Sequence, residues 1–295
     1  MLERLRSALP SRTTGLEAAA TRVFLEAIST NDFSRIVGRF AQAKVPKPLL
    51  RAVIAWYVKQ YKVDLSEVAD PIESFETFDA FFTRTLKPGI HVVDPDRDVA
   101  VSPVDGRVLN VGRVAEGRID QVKGRSYALD ELLDSAPDTA VYAHGWYITL
   151  YLSPRDYHRI HSPADGKITR FRYVPGRLYP VNAMGVNNVD RLFAVNERLI
   201  THIDGPLGKF AVVKVGATNV GLITASYTDI RTNSGRRTHY DEALRRPVKI
   251  ARGGELGQFH LGSTVVLISE RPDLVPVPMN PGDFFRMGQR LLRRS

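Results

Sequence analysis

The sequence contains no cysteine. This excludes disulfides, thiolate-held zinc and a cysteine nucleophile, and it fits a reducing compartment. No run of about 18 apolar residues occurs, so no transmembrane helix is expected. The opening segment, MLERLRSALPSRTTGLEAAATRVF, has neither an uninterrupted apolar core nor a small-residue cleavage site, and does not read as a secretory signal. Glu3 and Glu17 also count against a transit peptide. Acidic residues are missing between Phe33 and Lys62, where Arg35, Arg39, Lys44, Lys47, Arg51, Lys59 and Lys62 all fall. Zinc-finger and RNP-type aromatic motifs are missing as well, so nothing specific supports nucleic-acid binding.

What is present describes an ordinary globular chain. Its 295 residues suffice for one large domain or two modest ones. Hydrophobic residues make up 43% and charged residues 25%, which argues against disorder over most of the length. The net charge of +9 and a pI near 9.8 imply an anionic partner, nucleic acid or an anionic membrane surface.

The pattern changes along the chain. Residues 16–62 read as helical, with Leu49, Leu50, Val53, Ile54, Tyr57 and Tyr61 at three-to-four spacing and a break at Pro46 and Pro48. A basic amphipathic helix with Trp56 suits an anionic lipid interface, and equally suits a helix packed on the body with a solvated basic face. Phe75, Phe78, Phe81 and Phe82 mark a second short helix whose aromatics belong in a core. From about residue 99 the runs are short, β-branched and bounded by Gly or Pro: 148–152, 210–215, 220–225 and 264–269. The fold class expected is α+β: N-terminal basic amphipathic helices over 1–90, then a mostly antiparallel β barrel or sandwich over 91–295. An internal echo, Ser102-Pro-Val-Asp-Gly106 and Ser162-Pro-Ala-Asp-Gly166, predicts a duplicated hairpin unit.

Three places can carry chemistry. Ser263 follows Gly262 on a Gly-rich turn and opens a strongly β run. Taken alone it is a turn residue. The chemical alternative is attack by its hydroxyl on the unshielded Gly262 carbonyl, which exchanges the amide for an ester. Elimination and hydrolysis then leave a pyruvoyl group and ammonia, given a base near the hydroxyl and donors for the oxyanion. His158 and His161 lie between Pro154 and Pro163. On a turn they share a face and on a strand they do not, and spacing alone does not choose. A zinc reading finds no third ligand at a diagnostic spacing. Asp105 and Asp165 occupy the echoing turns, and either could orient a histidine or merely bond its own turn.

Taken together, Phe81-Phe-Thr-Arg-Thr-Leu-Lys-Pro88, Lys123-Gly-Arg-Ser-Tyr-Ala-Leu129, Tyr151-Leu-Ser-Pro-Arg-Asp-Tyr-His-Arg-Ile-His161, Leu192-Phe-Ala-Val-Asn-Glu-Arg198, Val215-Gly-Ala-Thr218 and Leu256-Gly-Gln-Phe-His-Leu-Gly-Ser-Thr264 resemble the phosphatidylserine decarboxylase family, in family order. The Leu-Gly-Ser-Thr form is similar to the bacterial, membrane-associated branch. The resemblance implies a proenzyme cleaved between Gly262 and Ser263, with Ser263 becoming a covalent pyruvoyl group. It implies that His161 is the base of maturation, Asp105 the acid that orients it, and His158 the histidine of decarboxylation. It implies that the Tyr179–Asn182 loop and the Val215–Thr218 turn line the pocket. It also implies phosphatidylserine as substrate, no metal, no nucleic acid, chains 1–262 and 263–295 that stay associated, a homodimer, and peripheral attachment to the cytoplasmic side of the cell membrane. Two rivals remain on the residues alone: a serine peptidase or esterase, which lacks a Gly-x-Ser-x-Gly elbow at Ser263, and a binding protein, either a lipid-surface module or a nucleic-acid binder, that never cuts itself.

Overall fold

Proline sets where the helices begin. A computed structural model describes residues 29–122, 125–218, 222–235, 238–261 and 263–295. Residues 16–28 of the helical reading, Lys123, the start of the 220–225 run and Gly262 of the expected cleavage bond lie outside them. Helix α1 is Asn31–Gln42 and helix α2 is Lys47–Tyr61. Pro46 sits at the N-cap of α2 and Pro48 in its first turn, where a missing N–H costs nothing. Lys62, with φ 57°, closes the helix by donating its N–H to the Val58 carbonyl. The apolar face read from the sequence divides in two. Leu50, Ile54 and Tyr57 are buried, while Leu49, Val53, Trp56 and Tyr61 stay exposed. The buried set packs on helix α3, Phe78–Phe82, whose Thr77 cap accepts from Ala80 N–H, and on Phe75, Phe81 and Phe82. Each such side chain contributes roughly 1.5–3 kcal/mol by leaving water.

The strands that position the site are β1 Gly106–Arg113, β2 Trp146–Leu152, β3 Arg159–His161, β4 Gly166–Val174, β5 Arg198–Gly205, β6 Gly208–Val215, β7 Leu222–Ala225, β8 Tyr240–Ile250, β9 Glu255–His260, β10 Ser263–Ser269 and β11 Phe284–Phe285. Eight form one antiparallel sheet in the order β8-β4-β5-β6-β10-β2-β1-β11. A second sheet runs β7-β9-β3, also antiparallel. Strand β10 lies in the middle of the large sheet, paired along its length with β2 and β6. Its Val265 and Leu267 pack into one core, and Val266 and Ile268 into another on the opposite face. Burial on both faces explains its unbroken apolar run.

The expected barrel does not close. The large sheet is open, with β8 and β11 at its edges. Strand β8 is largely exposed, carries charged residues throughout, holds Pro247, and loses register between Ala243 and Val248. Charge, proline and a bulge are the features that keep an edge from pairing onward.

The two echoing turns make matching bonds. Ser102 Oγ donates to Val104 O, and Ser162 Oγ to Ala164 O, each at 2.7 Å. His161 N–H donates to Pro103 O at 2.8 Å, and Val101 N–H to Pro163 O at 2.9 Å, so each turn bonds the approach to the other. Asp105 accepts from Met287 N–H at 2.7 Å, as Asp165 does from Arg252 N–H at 2.9 Å.

Candidate active site

The His158–His161 segment is held from three sides. Tyr57 of α2 donates its hydroxyl to Pro154 O at 2.7 Å, and Arg84 Nη2 donates to Arg155 O at 2.8 Å. Arg159 Nε donates to Thr83 O at 2.9 Å. Strand β3 then pairs with β9, Glu255 opposite His161, and the His158 carbonyl accepts from Phe259 N–H at 2.9 Å. Ser263 opens β10 opposite Leu152, the last residue of β2. His158 therefore meets the chain four residues before Ser263, and His161 meets it eight residues before.

The two histidines differ in what their nitrogens do. His158 is fully buried, and its Nδ1–H donates to the Asp156 carbonyl at 2.7 Å. Because a carbonyl only accepts, the proton is on Nδ1 and Nε2 carries the lone pair. That Nε2 is buried and has no hydrogen-bond partner. Burial, with the Arg84 charge beside it, pushes the imidazole down to about 3, so it is neutral at physiological pH. The Phe82 ring lies 4.1 Å from its centroid. His161 also bears its proton on Nδ1, which donates to Gly253 O at 2.8 Å, and its Nε2 accepts from the Tyr157 hydroxyl at 3.1 Å. Burial lowers its pKa as well. Gly253 presents that carbonyl from a left-handed conformation, φ 75°, which suits glycine.

Asp105 is not in contact with His161 by hydrogen bond. It pairs with His91 Nε2 at 2.8 Å, with both side chains nearly buried. The His91 ring stands 4.8 Å from Tyr157, whose hydroxyl is the one on His161. Asp105 thus reaches His161 at second hand, through His91 and Tyr157. Among the described residues Asp165 has no such side-chain partner and accepts from the Arg252 backbone, so the two aspartates that local sequence left tied stand in different surroundings.

Leu261 adopts φ 85°. A branched residue in that region stores on the order of 1–3 kcal/mol, and it lies immediately before Gly262. Leu261 packs against both the helical cluster and the sheet core, and it lines two cavities. The larger, about 590 Å³, is apolar and runs between α1, α2, Leu152, Pro180–Asn182 and Ala217–Thr218. The loop and turn expected at the pocket are both in its wall. The smaller, about 250 Å³, is of mixed character and lined mainly by polar and charged residues.

Sequence reasoning passed over four participants. Tyr157 sits inside the Asp156–His161 run, yet a tyrosine next to two histidines carries no spacing signal. His91 lies in an irregular stretch. His260, three residues before Ser263, donates Nδ1–H to Asp79 at 2.8 Å and its Nε2 accepts from Thr224 at 3.0 Å. Asn233 is 9% exposed, and its side-chain oxygen is buried without a partner.

The chain is similar in sequence to known proteins. Residues 78–293 match the phosphatidylserine decarboxylase family. A phosphatidylserine decarboxylase proenzyme of Myxococcus xanthus is 45% identical over 83% of this chain and 88% of its own length. One from Brevibacillus brevis is 43% identical over 90% and 94%. One from an Anaeromyxobacter species is 42% identical over 92% and 98%.

Proposed function

The chain belongs to the phosphatidylserine decarboxylase family, and from that premise we propose a self-cleaving proenzyme that converts phosphatidylserine to phosphatidylethanolamine and carbon dioxide. The bond cut is Gly262–Ser263. Ser263 becomes a pyruvoyl group at the head of the 263–295 chain. The observation that carries the reading is the buried, unpartnered Nε2 of His158, in the segment that pairs with the strand leading to Ser263.

A pyruvoyl ketone supplies an electron sink of the kind that stabilises carbanions. The residues present fit one there. His158 is fixed through Nδ1 on the Asp156 carbonyl and offers Nε2 to take up and return a proton. Fully buried surroundings and the Phe82 ring exclude water from it. For self-cleavage, His161 is the base and Asp105 its supporting acid. Tyr157 would have to yield its place on His161 Nε2 to the serine hydroxyl, and the His91–Asp105 pair sits behind it to stabilise positive charge. Strain at Leu261 favours a chain that relaxes by cutting just beyond it.

Residues 1–90 serve as the membrane-associating region, and 91–295 as a catalytic domain built around a duplicated hairpin. Ile36, Phe40, Leu49, Val53, Trp56 and Tyr61 are exposed on α1 and α2. The exposed cations Arg51, Lys59 and Lys62 accompany them. The apolar cavity opens among these residues, so acyl chains can enter from a bilayer on which the protein lies. No helix among the described residues is long and apolar enough to cross one. The surface is the cytoplasmic face of the cell membrane, and the working unit is a homodimer.

Intact mass under denaturing conditions, beside Ser263→Ala, tests the proposal. Two species splitting at Gly262/Ser263 for the wild type and one for the variant are expected. A single full-length wild-type species from folded protein supplied with lipid overturns it and favours a binding protein.

A further inference from the structure

The apolar cavity cannot hold a lipid headgroup. Its wall has no charged side chain, and its polar lining residues are chiefly Asn182, Thr218 and tyrosines. A phosphodiester moved there would lose its hydration without a countercharge, which costs several kcal/mol. Yet the amine and carboxylate of the substrate must come to residue 263, and the phosphate is bonded close by.

The polar cavity answers this. It shares Leu261 with the apolar one, so the two meet two residues from Ser263, within about 7.6 Å along the chain. Arg35 and Arg39 line it from successive turns of α1, at the i, i+4 spacing that puts both on one face. Arg35 is steadied by Asp32. Arg39 is exposed and forms no ion pair among the described residues. His260 and Asp79, also in the wall, are engaged with each other and with Thr224. Asn233 is not engaged in this way. Its backbone is fixed, with φ 52° and its N–H on Glu197, while its buried side-chain oxygen has no partner. A buried polar atom left without a partner is rare unless a ligand or water completes it.

We propose that this cavity is the subsite for the phosphodiester headgroup, with Arg39 and Arg35 holding the phosphate and the Asn233 side chain accepting from a headgroup N–H. The assignment rests on the phosphatidylserine reading above. It divides the substrate at Leu261: acyl chains on one side, headgroup on the other. It also makes the phosphodiester a recognition element, so that free serine is not bound.

The test uses the full, self-processed enzyme with short-chain phosphatidylserine in neutral detergent micelles, where surface charge attraction is absent. Arg39→Gln should raise KM at least tenfold with kcat within about twofold. Asn233→Gly, which keeps the left-handed backbone, should raise KM as well. Glycerophosphoserine, which has the headgroup and no acyl chain, should inhibit the wild type competitively and Arg39→Gln at least tenfold less. Arg97→Gln, an exposed charge outside all these cavities, should match the wild type in both. Mass spectrometry shows whether each variant has cleaved. If cleaved, active Arg39→Gln keeps its micellar KM and its inhibition, and loses only binding to anionic vesicles, Arg39 is a membrane-surface cation and the subsite is refuted. If the wild type neither cleaves nor releases carbon dioxide, the reading beneath it fails first.

Discussion

Lys214 presents a sharp energetic prediction. It is fully buried on β6, opposite Val265 of β10, and its Nζ donates to Thr201 Oγ1, which shares a 2.5 Å hydrogen bond with the Tyr227 hydroxyl. Among the described residues no carboxylate is paired with it. Burial pushes the amine from 10.5 down to about 7. At about 1.36 kcal/mol per pH unit, this corresponds to a cost of about 5 kcal/mol below about pH 7. The sign follows from proton counting. Below pH 7 both states hold the proton and the cost is complete. Between about 7 and 10.5 only the unfolded chain holds it, so stability rises with pH by about 1.4 kcal/mol per unit from this group. Above 10.5 the cost is gone. Lys214→Met keeps the stem and removes the amine, giving up a hydrogen bond worth about 1 kcal/mol. A gain of about 2–4 kcal/mol at pH 7 is therefore expected, shrinking toward zero near pH 10. Urea unfolding of Lys214→Met in the uncut Ser263→Ala background, at pH 7, 8 and 9, measures it. A loss of stability at pH 7 with the parental pH slope intact would show that the amine is satisfied where it sits and would refute the reasoning.

Other outcomes follow from the site. His161→Ala and Asp105→Ala should leave at least nine-tenths of the chain uncut on a denaturing gel, whereas His158→Ala should cut and then lose about 10²–10⁴-fold in carbon dioxide release; the reverse pattern would exchange the two histidines. Glu197, pushed up to about 7 by burial despite bonds from Tyr173 and Asn233, loses stability as pH rises from about 4.5 through 7, so Glu197→Gln should be the more stable protein at pH 8 by chemical denaturation. Binding to vesicles should grow with anionic lipid and weaken in high salt, each exposed cation near the surface contributing about 1 kcal/mol; salt-insensitive sedimentation with neutral vesicles would count against the electrostatic part.

Local chemistry made much of this legible. Pro46 and Pro48 marked the start of α2, the phenylalanines of 75–82 announced a packed helix, and the Thr264–Ser269 run announced a strand. The Ser-Pro-x-Asp-Gly echo anticipated two turns with the same bonds. Contacts between distant segments were less accessible. Nothing local pairs Asp105 with His91, because that partnership depends on how residues 88–95 cross the first turn. Leu261 gave no hint of its positive φ, since leucine is rarely found there. The barrel expectation failed for a similar reason: strand count is visible along a chain, but closure depends on whether two remote edges meet. The split of the α2 apolar face between core and cavity likewise needed α1 and α3 in place.

The central position of β10 changes what unfolding means once the chain is cut. Before cleavage all the strands of a subunit's sheet lie on one chain, so the sheet reassembles from tethered segments however dilute the protein is. With the proposed Gly262–Ser263 bond cut, the middle strand of the sheet, bonded on both sides, would belong to a separate peptide. Denaturation would then become dissociation, and recovery would require an encounter between two chains at dilution. The large chain alone would face the solvent with β2 and β6 as two open edges and a gap between them. Cleavage would therefore work as a ratchet: the sheet is assembled while its strands are still tethered, and an enzyme that later loses its structure does not regain it.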